Sequence, residues 1–451
     1  MKAAGVARPA PTAPRPYHFP RFERRMLGNG VQVVVAPVRK LPIATVVALV
    51  EAGAVCDARG REGVARLTAS LLVEGTLTNT GAELTDRFER LGASVVASAD
   101  WDGAGVTLTA LTEQLPPALA LLAEVLRTPA FAEREVERLK GERLADLLQL
   151  RTEPRGLADE MFTRALYAAE SRFALPEGGT EESVGAITRD DVRAHYERWY
   201  RPGALTLVIA GDIAVDDAVA MVGARFEDWR GDTPQRARTS DAPARRARAL
   251  HLVAKADAPQ SELRIGNVGL PRAHDDYYAA VVMNAVLGGL FSSRINLNLR
   301  EEHGYTYGAF SAFDWRRQAG PFVVSTAVQS DVTAAAATEA LREIERIRDA
   351  EVTETELSLA TSYLDGVFPI RYETSEAIAG ALAMLVRFGL PDDYFDTYRE
   401  RMRGVTAADV LRVARAHLHP DALQMLVVGD PATVRAPLEA MQFGPIAVTE
   451  P

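Results

Sequence analysis

The chain has 451 residues, 47% of them hydrophobic and 25% charged, and a formal net charge of −10. That length exceeds one ordinary domain and suits roughly two to four, while the acidic balance argues against a general nucleic-acid binder. The single cysteine, Cys56, excludes an internal disulfide framework and a cysteine metal site, and no run approaches the roughly 18 consecutive apolar residues of a membrane span.

Met1 to Pro20 is rich in Ala, Pro and basic residues and lacks the apolar core of a secretory signal. It reads as a flexible leader. The compartment stays open: cytoplasmic as the sequence stands, periplasmic if a signal has been removed. Val31 to Val35 is a β-branched run typical of a strand, and Ala44 to Val50 is its expected neighbour after a turn at Pro42. Leu84, Phe88 and Leu91 give Gly81 to Leu91 a helical period, and Val95 to Ala110 alternates as strands. Helices are expected over Leu115 to Leu126 and Glu133 to Leu150. Gly231 to Ala249, with two prolines and five arginines, is polar and reads as a solvated linker. Beyond it, strands are expected around Leu263 to Val268 and Gly320 to Val328. Helices are expected around Tyr277 to Leu287, Val332 to Arg348 and Thr355 to Val367.

The two sides of that linker repeat each other. Thr188 and Thr406 read as helix N-caps, each with an aspartate three positions later (Asp191, Asp409). A helical stretch follows, then Pro202 to Asp212 or Pro420 to Asp430, an apolar strand closed by Gly-Asp. The offset of 218 residues, from Thr188 to Thr406, holds throughout without a gap, which indicates duplication. The expected organisation is a leader over 1–20, a first domain over 21–230, a linker over 231–249 and a second domain over 250–451. The fold class is α+β: two homologous halves, each a mainly antiparallel sheet flanked by helices.

Two segments carry chemistry. The first runs from Gly63 to Gly75-Thr76, with Arg66, Ala69 and Ser70 within it. It resembles the active-site helix of the pitrilysin/insulinase family of zinc peptidases, written Gly-x-x-His-x-x-Glu-His-x-x-x-x-Gly-Thr. Two His one turn apart hold the metal there, and the Glu activates its water. Arg66 and Ser70 stand at the ligand positions and Ala69 at the base. The resemblance places the family's third ligand, a Glu, at Asp146. Arg is cationic, Ser is a poor zinc ligand and Ala has no proton acceptor, so no metal is expected on this chain. Asp146 therefore reads as an exposed helix carboxylate or as a partner of Arg66, in an ion pair that would fill the position. Of the seven histidines, none forms a His-x-x-x-His pattern. The pair His417 and His419 has no neighbouring carboxylate cluster in the sequence and reads as a helix end.

The second segment is intact: Gly288-Gly289-Leu290-Phe291-Ser292-Ser293-Arg294, then Leu299-Arg300-Glu301 and Gly304-Tyr305-Thr306-Tyr307. It resembles the same family's second-half signature. There the equivalents of Arg300 and Tyr307 contact the peptide near the scissile carbonyl from the half opposite the zinc. A guanidinium and a phenol are suitable donors to a carbonyl or oxyanion. Read without the family, Arg300 would pair with a nearby acid and Tyr307 would pack in a strand. Gly288 and Gly289 read as a tight turn after a helix, and His303 as a surface residue. The family also adds peptide to an exposed strand near the zinc helix. Gly92 to Asp100 is that region here, with Val96 where the family usually has Asn.

The resemblance, from about Tyr17 to about Val434, implies a clam-like chamber that encloses peptides. It also implies a non-catalytic subunit supplying Arg300 and Tyr307 to a zinc-bearing partner of the same family, whose substrate is a peptide or unfolded polypeptide. The zinc would sit on that partner. Two other readings are a structural or peptide-binding scaffold, and an enzyme of unrelated chemistry. Intact Arg300 and Tyr307 favour the partnered subunit over a scaffold, and the absence of a nucleophile–base pair weakens the enzyme.

Overall fold

A computed structural model describes residues 16–450. Twelve strands form two six-stranded sheets. In the first, β1 (Glu23–Met26), β2 (Gln32–Pro37), β3 (Ile43–Val50), β4 (Ser94–Ala99), β5 (Ala104–Leu111) and β6 (Leu205–Gly211) take the order β1-β2-β6-β3-β5-β4. In the second, β7 (Ala249–Ala254), β8 (Gln260–Val268), β9 (Ala309–Phe313), β10 (Pro321–Gln329), β11 (Gln424–Gly429) and β12 (Ile446–Thr449) take the order β12-β7-β11-β8-β10-β9. Parallel pairing is confined to β2–β6 in one sheet and to β12–β7–β11 in the other. The remaining pairs are antiparallel. Helices flank both sheets, so the α+β class and the paired halves hold.

The duplication appears at single-residue level. Thr188 caps Arg189–Trp199 and Thr406 caps Ala407–His417, each in a capping box closed by the aspartate three residues on. Both helices lead into a central strand, β6 or β11, that is buried along its whole length. Both faces of these strands are covered. Leu207 and Ile209 of β6 point into the first-half core and Val208 and Ala210 into the other. That double burial is why the two strands read as continuous apolar runs without alternation. Strand β5, covered on one side only, keeps the alternation.

The halves exchange helices. Pro154–Leu166, from the first half, lies on β8 and β11 of the second sheet. Ser375–Phe388, from the second half, lies on β3 and β6 of the first. Leu157, Ala158 and Phe162 therefore pack with Leu426 and Val428, and Ile378 and Leu382 share a core with Val34 and Val208. Charged groups cross the same boundary. Glu51 accepts from Arg317 (2.9 Å) and from Arg236, the Arg317 amide donates to Asp102 (3.0 Å), and Arg387 pairs with Asp100.

Two sequence expectations change. The segment over 231–249 has no helix and its last residue opens β7, but it is not merely solvated. Thr239 bonds Gln318 and the Arg172 amide, and Ala242 and Ala244 bond the backbone of Ala168 and Leu166. Polar composition was misleading because those polar groups bind the protein. Of the expected leader, residues 1–15 lie outside the described residues. Tyr17 to Pro20 is docked: the Tyr17 hydroxyl donates to Tyr372 O (2.9 Å), and Phe19 is buried and stacked on Phe395 at 4.0 Å. One continuous stretch, Tyr277–Glu302, is long and apolar enough to cross a membrane by composition. Its Ala280, Val282, Met283, Leu287, Ile295 and Leu299 are buried in the second-half core, which accounts for that composition.

Candidate functional site

The helix of the degenerate motif spans Val64–Leu71 and is held firmly at its start. Gly63 caps it at φ 98°, and a side chain there would meet Gly178 O at 2.7 Å, so only glycine fits. The buried Asp57 carboxylate accepts from the amides of Gly63 (2.8 Å) and Ala65 (2.9 Å) and from Arg172 (2.8 Å). These bonds satisfy donors that every helix N-terminus leaves exposed. The frame of the motif is therefore built, independently of the side chains it displays.

Arg66 and Ser70, one turn apart, face a cavity of about 150 Å³. Asp146 reaches the same cavity from the helix Glu133–Leu150, so the structure brings together the three residues expected at the ligand positions. Ala69 does not line it; it is fully buried in the first-half core. Of the two readings of Asp146, the exposed helix carboxylate holds, and the ion pair with Arg66 is not formed among the described residues. Both side chains are exposed, where pairing gains little over hydration. The sequence reading missed Arg143, which enters the cavity one turn before Asp146 on the same helix face. Its i, i+3 spacing to Asp146 was the available signal. Arg143 Nε donates to Gly178 O (3.1 Å), and burial, then the neighbouring Arg66, push its pKa down. Two guanidiniums, a hydroxyl and two carboxylates, Asp146 and the Arg138-paired Glu142, do not fit zinc, which takes neutral His, thiolate or carboxylate donors in a near-tetrahedral set.

The second motif divides into a structural part and a displayed part. Gly288 and Gly289 lie in a π-helical turn, Ala285–Gly289, without positive φ. A side chain at Gly288 would meet Ser311 Oγ at 2.4 Å and Ser311 N at 2.6 Å, so this glycine serves close packing against β9 and not a turn. Arg294 forms a fork with Glu356 (2.6 and 2.9 Å), tying the motif to the helix Glu354–Arg371. Arg300 lies on the π-helical turn Leu297–Glu302, its guanidinium 4.4 Å from the Phe291 ring centre and 3.3 Å from Glu301. Tyr307 is 96% exposed and is not packed in a strand. It stands two residues before β9, the edge of the second sheet. Phe291, Leu297 and Phe310 are also exposed in this region. His303 is exposed and stacks on Tyr305. Among the described residues, no hydrogen bond, ion pair or ring contact joins Arg300 or Tyr307 to Arg66, Ser70 or Asp146.

Strand β4 is an edge of the opposite sheet, paired among the described residues only with β5, and packs beside the motif helix. Val96 on it is 64% exposed. The expected edge over Gly92 to Asp100 is thus present. His274, Asp276 and His417 bring three donor atoms within 4.8 Å of one another. His417 also gains here the carboxylate that its sequence neighbourhood lacks. Asp276 accepts from His417 (2.7 Å) and Arg412 (2.8 Å), and its own amide donates to His274 Nδ1 (3.0 Å). Those engaged lone pairs make the group a clamp between the helices Tyr277–Asn284 and Ala407–His417. Cys56 is far from reactive: burial, then Asp57 and Glu51, push its thiol up to about 12.

Two duplicated halves, a framed helix stripped of metal donors and an intact second-half signature define a class: an insulinase-type peptidase fold that lacks a complete metal-ligand set of its own. The family model Insulinase (Peptidase family M16) matches residues 33–174, and that of the Peptidase M16 inactive domain matches residues 186–364. The chain belongs to the M16 family of peptidases. It is 26% identical over 249 residues to an uncharacterized zinc protease, YmxG, of Bacillus subtilis, covering 55% of this chain and 59% of that one. It is 24% identical to a protein of Helicobacter pylori named non-peptidase homolog YmxG, across 82% of this chain and 84% of the relative. Among solved structures it resembles a peptidase M16 inactive domain from Pseudomonas fluorescens. The TM-score is 0.85 at 25% identity, over 91% of this chain and 98% of that one. A Helicobacter pylori protease has the same fold (TM-score 0.84, 19% identity, 91% and 100% covered).

Proposed function

We propose that this chain is a non-catalytic, peptide-binding subunit without zinc of its own, and that it completes the active site of a zinc-bearing partner of the same family by supplying Arg300 and Tyr307. One observation carries the reading. A tyrosine that is 96% exposed stands at the head of an edge strand in a fully preserved motif, while the metal position of the same chain offers no donor set for zinc. An exposed phenol with no packing role costs burial and contributes nothing to this chain's fold. It is explained by something it meets outside the chain. The names of relatives divide between zinc protease and non-peptidase homolog. Arg66, Ala69 and Ser70, which supply neither zinc ligands nor a base, favour the second description for this chain. The expected substrate is an extended peptide, which β4 and β9 can pair by strand addition.

The test is reconstitution with a zinc-bearing family member. Alone, the chain is expected to leave an unstructured peptide uncut. In the mixture, Arg300→Ala and Tyr307→Phe are each expected to lower turnover by ~10²–10³, with complex formation and partner zinc content unchanged. Full turnover in both variants would leave the scaffold reading in its place.

A further inference from the structure

The cavity that replaces the metal site is not an inert filling. It is bounded on one side by the helix carrying Arg66, Leu67 and Ser70, on another by the helix carrying Leu139, Arg143 and Asp146, and closed by Val184 and Ile187. Among the described residues, neither Arg66 nor Arg143 has a carboxylate partner, and Arg143 spends only Nε, on Gly178 O. Glu142, which also lines the cavity, is held by Arg138 at 2.8 Å, and Glu160 and Glu177 act on Arg143 only through space, without an ion pair. The lining thus combines two guanidiniums, a hydroxyl and the carboxylates of Asp146 and Glu142 with four aliphatic side chains, Leu67, Leu139, Val184 and Ile187. The volume, about 150 Å³, is that of a cavity able to hold a benzene-sized molecule. It accommodates one residue and not a folded segment.

We propose that this pocket binds an α-carboxylate next to an apolar side chain: the C-terminal residue of an extended peptide, its carboxylate on Arg66 and Arg143 and its side chain against Leu67, Leu139, Val184 and Ile187. Paired guanidiniums suit a planar carboxylate. The edge strand β4, packed against the same helix, supplies the backbone partners for the residues that precede. This inference rests on the peptide-binding reading above. The same chemistry is carried by a free apolar amino acid, whose ammonium would then meet Asp146.

Calorimetric titration of the full chain separates these cases with four probes. They are acetyl-Ala-Ala-Leu as the free acid, the same peptide as the C-terminal amide, free leucine, and a longer unstructured peptide blocked at both ends. The free acid is expected to bind at least ~10-fold more tightly than the amide, and Arg66→Gln is expected to erase that preference. Arg66 is exposed, so the variant should fold as the parent does, which the thermal midpoint checks. Leucine binding as tightly as the peptide acid, and weakened by Asp146→Asn, would sustain the pocket and assign the free amino acid as its ligand. Equal binding of acid and amide, a preference that survives Arg66→Gln, or no binding by acid, amide and leucine alike would overturn the proposal. The blocked peptide reports on the peptide-binding reading alone. If it binds while acid and amide are not distinguished, only the pocket falls; if it does not bind while they are distinguished, the pocket stands without the chamber.

Discussion

Replacing Asp57 by alanine tests whether the motif helix is held by a buried ionic cap. Asp57 accepts from two amides at the helix start and from Arg172, and the side chains of the pair are 0% and 8% exposed. Loss of a cap costs about 1–2 kcal/mol, and breaking a buried pair by removing one partner costs about 3–5 kcal/mol. Arg172 keeps acceptors at Leu175 O, Pro176 O and Glu177 O (3.1, 2.9 and 2.9 Å), which places its share at the lower end. The expected total is about 4 kcal/mol, a large part of the ~5–15 kcal/mol that holds a typical domain folded. The assay is urea unfolding followed by tryptophan fluorescence, since Trp101 lies 5.1 Å from the Arg172 guanidinium. A double-mutant cycle with Arg172→Met should return a coupling of about 2 kcal/mol, because the double variant leaves no buried charge unpaired. A loss below about 0.5 kcal/mol for Asp57→Ala, the range of ordinary surface substitutions, or strict additivity with Arg172→Met, would refute the cap.

Three further outcomes are expected. His195 is buried, and burial pushes its pKa down to about 4 against an ordinary 6.5. The unfolded chain therefore binds the extra proton between these values, so stability is complete above pH 6.5 and falls by up to about 3 kcal/mol as pH drops towards 4. In His195→Gln that part of the pH slope should vanish from the unfolding midpoints, and an unchanged slope would contradict the assignment. Gly288→Ala drives a methyl into Ser311 backbone and side chain, and should lower stability by about 1–3 kcal/mol, read as a drop in thermal midpoint; the parent midpoint would show that β9 yields. Arg66→His, Ser70→His and Asp146→Glu together should restore zinc binding by metal analysis, since these positions share one cavity. Adding Ala69→Glu should cost about 1–3 kcal/mol, because position 69 lies in the apolar core; absence of zinc in the folded triple variant would contradict the alignment of the motif.

Much of the architecture was legible because it is local. Thr188 with Asp191, and Thr406 with Asp409, announce helix starts through bonds spanning three residues, and β6 and β11 announce burial through uninterrupted apolar runs. Glu133–Leu150 falls where its pattern places it, and most of the other elements that were expected lie within a few residues of their expected bounds. The loss of metal donors at Arg66, Ala69 and Ser70 was equally legible, since it depends on what a side chain can donate and not on where it sits. The close-packing role of Gly288 was not, because its constraint comes from Ser311 on another element.

The sequence by itself determined many of the helices and strands, though not the two exchanged helices or β9, that the chain is duplicated, and that the zinc motif keeps its frame without its chemistry. These follow from hydrogen bonds and periodicities within a few residues, or from the identity of single functional groups. Only the tertiary structure decided that the halves exchange helices, that Arg66 and Asp146 remain apart, that Arg143 joins them around a cavity, that Ala69 turns inward, and that Tyr307 stands exposed beside an edge strand. Each of these depends on groups brought together across tens to hundreds of residues, where packing of the two cores, and no local preference, fixes which side chains meet and which are left facing solvent.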